Sequence, residues 1–221
     1  MDEESSIIKT IEAISRLVNV AEIIVVDGGS RDKTLDLVEG YSTPKKIKVV
    51  KSGQANRGAQ LHEGTKHAKE DIYWFLHADA RPIQGSGKQI LKFMHYSNVV
   101  GGNFEVLFSG HNRSARFLTW LYPYLKTLGL VYGDSGFFVR KEVYEEIGGF
   151  QDFPLFEDVE FYKKLKKRGK FVQIRMPLTL SSRRFANRSF VWTFTKWSVR
   201  QGLYWIGVPP RMLGKTYKKI R

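Results

Sequence analysis

The sequence predicts an α/β fold in which a mixed, mainly parallel sheet is flanked by helices. Short apolar runs typical of buried strands alternate along the chain with segments whose apolar residues recur every three or four positions. Such alternation is typical of a largely parallel sheet covered on both faces. The 221 residues, of which 42% are hydrophobic, suffice for one sizeable core.

The individual elements follow from these two periodicities. A first helix is predicted up to residue 18, with Asp2 as its N-cap and acidic residues in its first turn. The other helices are predicted at 32–38, 58–68, 87–94 and 154–168, and an aromatic helical segment follows at 190–205. The strands are predicted at 22–26, 47–50, 72–76, 99–108, 135–140 and 178–180.

The net charge of +14 is concentrated at the C-terminal end of the sequence. Residues 161–221 contain 17 Lys or Arg and no Asp or Glu, whereas the rest contains 19 basic and 22 acidic side chains. Such a concentration of positive charge suits an anionic partner. The candidates are a nucleic acid, an anionic lipid surface and a phosphorylated substrate. A solvated basic face with no partner is the alternative.

Several classes of protein are disfavoured by composition. Because cysteine is absent, disulfides and thiolate metal sites are excluded. The acidic start does not resemble a signal peptide, and no run of about 20 apolar residues is present. We therefore expect a cytoplasmic protein, with peripheral contact to the inner face of the membrane as a further expectation.

Three short motifs carry candidate chemistry. Asp27-Gly28-Gly29-Ser30 follows a strand and is either a tight turn into a helix or a nucleoside site. His77-Ala78-Asp79 follows another strand, and the carboxylate of Asp79 suits Mg²⁺ or Mn²⁺. Glu157-Asp158 opens a helix, where it either complements the helix dipole or supplies a general base. Parallel strands would bring the first two motifs to one rim of the sheet.

Five segments taken in order resemble the family 2 glycosyltransferases with a GT-A, Rossmann-like fold. They are IIVVDGGSRDKT, ANRGAQLHEGTKHA, WFLHADARP, GDSGFFVRKEVYEEIGGF and PLFEDVEFYKKLKKRG, and SSRRF adds a sixth. The resemblance runs from about residue 2 to about residue 190. It looks closest to a bacterial subgroup that writes its metal motif as H-A-D.

On the donor side, the resemblance implies a site for a nucleoside-diphosphate sugar, with a UDP-type donor favoured. Asp27 and Gly29 would contact the nucleoside. Arg57 would lie near the diphosphate or the base, and Arg183 and Arg184 would cover the leaving diphosphate.

For the metal and the acceptor, Asp79 matches the last acid of the family's D-x-D motif and would bind Mg²⁺ or Mn²⁺. Asp158 matches the general base. Asp134, in Gly-Asp-Ser-Gly, and Glu157 would line the acceptor side. The implied reaction is sugar transfer with inversion. An acceptor hydroxyl is deprotonated on one side of the sugar, and the diphosphate leaves on the other.

The organisation that follows is a glycosyltransferase domain over residues 1–185 and a basic, aromatic helical extension over 186–221. Trp and Tyr beside Lys and Arg in the extension suit a membrane interface and a lipid-linked acceptor, although packing on the core would explain the aromatic residues equally well.

Two other functions remain open from sequence. A nucleic-acid-binding module would explain the basic C-terminal third, but no helix-turn-helix or RNP-like pattern is present, so no nucleic-acid partner is expected. A nucleotidyltransferase would share the sheet and the metal, but its Gly-rich, basic phosphate loop is not visible.

Finally, family members open with an apolar strand before the first helix, and here Met1 directly precedes Asp2-Glu3-Glu4. We expect this chain to come from a longer protein that contains the strand; the alternative is a natural variant that fills the gap with another segment.

Overall fold

The computed structural model describes residues 2–54, 56–110, 113–181 and 190–215. Within these ranges seven strands form two sheets that helices flank. The strands are β1 (Glu22–Asp27), β2 (Lys46–Lys51), β3 (Ile72–Trp74), β4 (Arg81–Pro82), β5 (Val99–Ser109), β6 (Phe138–Arg140) and β7 (Lys170–Ser181).

The helices lie between these strands and at the C-terminal end of the described chain. They are α1 (Ile7–Ser15), α2 (Thr34–Glu39), α3 (Arg57–Thr65), α4 (Ser86–Met94), α5 (Arg113–Thr127), α6 (Lys141–Glu146), α7 (Glu157–Lys166), α8 (Phe190–Trp205) and α9 (Pro210–Lys215). A short 3₁₀ helix covers Gly133–Ser135. None of the helices in these ranges is both long and apolar enough to cross a bilayer.

The smaller sheet pairs β1 with β2 in parallel, and the larger sheet has the order β3-β6-β5-β7-β4. In the larger sheet β5 and β7 are parallel, whereas β3–β6, β5–β6 and β4–β7 are antiparallel. The parallel pairs are the long ones, so the predicted mixed sheet with mainly parallel pairing is confirmed. The prediction placed all strands in one sheet, and here it was wrong, because β1 and β2 are separate from the rest.

The alternation of side chains across the larger sheet divides the core into two layers. Tyr73, Phe75 and Phe137 point to one face, where they pack with Phe150 and Phe161. Side chains that point to the other face, such as those next to Tyr73 and Phe137 in sequence, form a second buried cluster with residues of α4. Its members include Trp74, Phe104, Phe138, Ile174 and Leu178. Both faces of the sheet are therefore buried, which explains why its strands read as continuous apolar runs.

Around β1 and β2, one face is covered by α1 and α2. The buried residues Ile7, Ile11 and Ile14 of α1 lie one turn apart and contact Ile23 and Val38. This apolar stripe is the pattern that predicted the first helix.

The start of that helix was predicted wrongly. The helix begins at Ile7, and Asp2 has a positive φ of 54° and does not cap it. The carboxylate of Asp2 instead accepts the backbone N–H of Arg31 at 2.8 Å. Acidic residues near an apolar stripe resemble an N-terminal turn, but here they bind the loop that follows β1.

Three further elements differ from the prediction. The strand predicted at 178–180 is the end of the twelve-residue β7, because all of β7 pairs with β5. The strand predicted at 135–140 begins at Phe138, after the 3₁₀ helix. Helix α5 was not predicted, because Pro123 and polar residues interrupt its pattern.

Candidate active site

The loop after β1 is organised around the carboxylate of Asp27. Asp27 is buried, and its Oδ2 accepts the backbone N–H of Gly29 at 2.8 Å and of Ser30 at 3.0 Å. The Ser30 hydroxyl donates to the other oxygen. Gly29 has a φ of +92°, a region that favours glycine. Burial raises the pKa of Asp27, but these hydrogen bonds outweigh it, so the pKa lies below the ordinary 3.8.

The N-terminal segment closes this loop from outside. Backbone N–H groups of Asp2, Glu3 and Glu4 donate to the side chains of Ser30, Thr34 and Asp32, at 3.1, 2.8 and 3.0 Å. The loop is therefore held by its own side chains and by a second piece of backbone.

Helix α3 joins the two strand-end motifs, although their strands lie in different sheets. Gln60 is so close to Gly28 that a Cβ added there would lie 2.2 Å from Gln60 Nε2. One turn earlier, Arg57 Nη1 lies 3.1 Å from His77 Nε2. The loops after β1 and β3 therefore meet at the N-terminal end of α3, as the prediction of a common rim required.

The second motif forms a tight turn in which Ala80 N–H donates to the carbonyl of His77 at 3.0 Å. Asp79 is buried within this turn. The hydroxyl of Thr10 on α1 donates to the carbonyl of Ala78 at 2.7 Å, which fixes the turn against the first helix.

Arg57, the first residue of α3, is the centre of an ion network. Its Nε donates to Glu157 Oε1 and its Nη2 donates to Asp158 Oδ2 at 2.6 Å. Both carboxylates are buried, whereas 39% of the Arg57 side chain is exposed. Asp158 Oδ2 also accepts the backbone N–H of Gly133 at 2.8 Å, and Oδ1 accepts that of Val159 at 2.8 Å. The network joins α3, α7 and the 3₁₀ helix.

The pKa values of Arg57 and Glu157 are both raised in this network, but for different reasons. Burial lowers the pKa of Arg57, but the charges of Glu157 and Asp158 outweigh it and raise that pKa. Burial raises the pKa of Glu157 above its ordinary 4.5, and the nearby charge of Asp158 adds to the rise, although Arg57 opposes it.

The backbone just before the acid pair is in an unusual conformation. Phe156, the N-cap of α7, has φ 62° and ψ 17°, the left-handed region that non-glycine residues rarely adopt. Its buried ring stacks on Tyr204 of α8 at 4.6 Å and packs against Leu213 of α9. Packing by the two C-terminal helices therefore holds the residue that orients Glu157 and Asp158.

Asp134 lies in the 3₁₀ helix next to this network and accepts a hydrogen bond from the hydroxyl of Tyr122 on α5. Burial raises the pKa of Tyr122 well above its ordinary 10, and the charge of Asp134 adds to the effect. Tyr132 donates to Gln201 of α8 at 2.8 Å on the same side. Helices α5 and α8 thus flank the side of the site where Asp134 lies.

A family model described as Glycosyl transferase family 2 matches residues 1–148, two thirds of the chain. The chain belongs to glycosyl transferase family 2. No curated protein sequence matches it.

Solved structures show the fold of this chain. S. aureus TarS 1-349, in complex with UDP-GlcNAc, matches with a TM-score of 0.60 and 16% identity over 81% of this chain and 53% of TarS. The mannosyltransferase PcManGT from Pyrobaculum calidifontis, in complex with GDP-Man and Mn²⁺, matches with a TM-score of 0.60 and 18% identity over 79% and 52%. A mycobacterial protein matches with a TM-score of 0.61 and 19% identity over 95% and 73%. The GT-A fold is confirmed, and the chain spans about half the length of the TarS 1-349 and PcManGT chains.

The described part of the chain offers few metal ligands. Among the described residues, no three His, Cys, Asp or Glu side chains form a group that would hold an ion. Mg²⁺, however, is usually bound by one or two carboxylates together with substrate phosphates and water. Asp79, buried at the rim, fits that arrangement as the one protein carboxylate.

Of the nine site residues predicted from sequence, the structure brings Arg57, Glu157 and Asp158 into direct contact and places Asp134 beside them. Arg183 and Arg184 lie outside the described residues. Sequence reasoning missed the contact of Arg57 with both acids, the amide of Gly133 and the Tyr122–Asp134 hydrogen bond. These partners are 12 to 101 residues apart, so no local pattern indicates them.

Proposed function

We propose that this glycosyltransferase moves a sugar from a nucleoside-diphosphate sugar to a hydroxyl group of an acceptor, with inversion at the anomeric carbon. One observation carries the proposal. Asp158 is a buried carboxylate at the N-terminus of α7, hydrogen-bonded to Arg57 at the rim where the loops after β1 and β3 meet. A base and a cation that can bind phosphate thus lie side by side.

The donor would lie across this rim. Asp27 and Gly29 would contact the nucleoside, and Arg57, Arg183 and Arg184 would contact the diphosphate, whose oxygens match the planar guanidinium group. TarS was solved with UDP-GlcNAc and PcManGT with GDP-Man, which supports a nucleotide-sugar donor. We retain a UDP-type donor as the first candidate.

Asp79 would hold Mg²⁺ or Mn²⁺ together with the diphosphate. PcManGT contains Mn²⁺, which supports a divalent ion in this fold. When bound, such an ion neutralises charge that develops on the leaving diphosphate.

Asp158 would act as the general base. It takes the proton of the acceptor hydroxyl as that oxygen bonds to the anomeric carbon, while the bond from this carbon to the diphosphate oxygen breaks and the nucleoside diphosphate leaves. Arg57 donates a hydrogen bond to Asp158 Oδ2. A bound diphosphate would compete with Asp158 for the Arg57 guanidinium, which would leave Asp158 Oδ2 open to the acceptor hydroxyl. Donor binding would thus prepare the base for the acceptor.

The acceptor would approach from the side of Asp134 and Glu157. Helices α5 and α8 flank that side, and their exposed aromatic and basic residues support a lipid-linked acceptor presented by an anionic membrane surface.

A direct test begins with donor binding. We expect thermal shifts with UDP, GDP, dTDP or CDP in Mn²⁺ to single out one nucleoside diphosphate. The corresponding sugar donor should then release free nucleoside diphosphate in the presence of an acceptor. Release of pyrophosphate would instead indicate a nucleotidyltransferase and overturn the proposal.

The metal assignment is tested by calorimetry. Donor binding should require Mn²⁺ in the wild type and should weaken about tenfold or more in Asp79→Ala. Asp36→Ala, on the exposed side of α2, is the matched control and should bind like wild type. Tight donor binding in EDTA would contradict the role of Asp79.

A further inference from the structure

Helix α5 exposes an apolar face. Amphipathic helices on a protein surface normally bury their apolar residues and expose the polar ones. In α5 and the residue that follows it, the exposed positions recur every three or four residues along one face, and most of them are aromatic or aliphatic. The large apolar side chains on this face are Phe117, Trp120, Tyr124 and Leu128.

Helix α8 shows the same inversion. Its exposed positions also fall on one face and continue to the residue just after the helix. The large apolar members of that face are Trp192, Val199, Leu203 and Ile206. Of the seventeen large apolar side chains that are exposed in the described residues, eleven lie in 117–128 and 191–212. Apolar exposure is therefore concentrated rather than scattered, which is typical of an interaction site.

The two helices are in contact with each other. The ring of Phe117 lies 5.8 Å from Phe190 and 5.8 Å from Phe194. The exposed faces of α5 and α8 therefore belong to adjacent helices, and we call them together the aromatic surface.

The charge of these segments is of one sign. Residues 106–133 and 161–221 contain no Asp or Glu. Exposed cations accompany the aromatic surface, with Arg113 and Arg116 on α5 and Lys196 on α8, whose ammonium lies 4.5 Å from the ring centre of Trp192. Lys and Arg beside Trp and Tyr suit the headgroup region of an anionic bilayer, which attracts the cations and accommodates the aromatic rings.

We propose that the aromatic surface of α5 and α8 binds an anionic lipid bilayer, with both helices lying in the plane of the interface. The positive charge of this surface favours an anionic bilayer over a second copy of the chain. Two copies of a face that carries only positive charges would repel each other, whereas an anionic membrane attracts it.

The aromatic surface lies next to the proposed acceptor side of the site, and its role there rests on the proposed function. Tyr122 of α5 bonds Asp134, and Gln201 of α8 bonds Tyr132, so both helices also contact the side from which the acceptor would approach. A bilayer bound there would present a lipid-linked hydroxyl to Asp158 without a soluble intermediate.

Co-sedimentation tests the proposal with vesicles of phosphatidylcholine containing about 30% phosphatidylglycerol, at low salt. We expect the wild type to bind these vesicles, to bind pure phosphatidylcholine at least about tenfold more weakly, and to dissociate at high salt. The double variant Trp120→Ser/Trp192→Ser should lose about tenfold or more of the binding. Tyr96→Ser, which removes a similarly exposed aromatic residue just after the C-terminal end of α4 and outside the aromatic surface, should bind like wild type.

Nucleotide binding by each variant separates this proposal from the proposed function, because the aromatic surface does not include the donor-binding residues. Absence of vesicle binding by a wild-type protein that still binds nucleotide would overturn the membrane proposal alone. Vesicle binding that the double variant retains would overturn the assignment to this surface. A dimer in solution that the same double variant abolishes would show that a second copy covers it, and would also overturn the proposal.

Discussion

The loop after β1 and the N-terminus of α7 both present carboxylates to the same rim, but they obtain their partners in different ways. Asp27 is satisfied by Gly29 and Ser30, which follow it within three residues. Asp158 accepts one local hydrogen bond, from Val159, but its other partners are Gly133, which is 25 residues away, and Arg57, which is 101 residues away. The hydrogen bonds of Asp27 can form within one turn of the chain. The long-range hydrogen bonds of Asp158 can form only when the whole chain is folded.

This difference affects how each region responds to substitution. Hydrogen bonds from its own loop lower the pKa of Asp27, so its carboxylate is stabilised as an anion. In α7, burial and a neighbouring acid raise the pKa of Glu157, and one arginine serves two carboxylates. Changes in α7 should therefore propagate between residues, whereas changes in the β1 loop should stay local.

The largest expected effect follows the loss of the proposed base. Asp158→Asn should retain donor affinity and lose about 10²-fold or more in turnover, because the amide cannot accept the acceptor proton. Steady-state kinetics and calorimetry measure the two quantities. Asp36→Asn, which changes an exposed carboxylate on α2 in the same way, is the matched control and should keep the turnover. Near-wild-type turnover in Asp158→Asn would refute the role.

Removal of the shared cation should have the next largest effect. Arg57→Met leaves two buried carboxylates without their common partner, which for a fully buried pair costs about 3–5 kcal/mol. Because 39% of the Arg57 side chain is exposed, we expect the free energy of unfolding to fall by about 2–3 kcal/mol.

Urea unfolding provides the measurement for Arg57→Met. The control is Arg16→Met, which removes an exposed pair with Glu12 and should change stability by less than about 0.5 kcal/mol. Equal effects of the two substitutions would show that the α7 network is not a coupled buried unit.

In the β1 loop, Asp27→Asn should lower the free energy of unfolding by about 1–2 kcal/mol, because it removes the charge from three hydrogen bonds. The folded-state pKa is lowered, so this contribution is present above the ordinary 3.8 and is lost as pH falls through the folded pKa. Urea titrations should therefore show that the difference in the free energy of unfolding between wild type and variant decreases as pH falls below about 4. A difference independent of pH would contradict the assignment.

The smallest effect concerns Glu157 and has the opposite sign with pH. Its folded-state pKa is raised above 4.5, so the folded protein binds the proton more tightly and stability falls as pH rises from 4.5 to the raised value. Glu157→Gln removes this loss, so the variant should gain stability relative to wild type across that range. Urea unfolding at about pH 4.5 and pH 8 checks it, and a relative loss at the higher pH would be inconsistent with the raised pKa.

Much of the fold was predictable because it depends on local periodicity. The apolar runs at β1, β2 and β5 and the stripe of α1 each bury a face that can be identified within a short window. The extent of β7 was not predictable, because only pairing with β5 defines it. The division into two sheets was missed for the same reason, since strand order is a long-range property.

The sequence by itself determined the α/β class, the family resemblance and the residue types at the rim, because turns, apolar periodicity and motif spacing are encoded over a few neighbouring residues. Only the tertiary structure decided that Arg57 bridges Glu157 and Asp158, that Phe156 adopts a left-handed conformation under Tyr204, and that α5 and α8 leave their aromatic faces exposed. The physical reason is that burial and charge pairing depend on residues distant in sequence, which only the folded chain brings together.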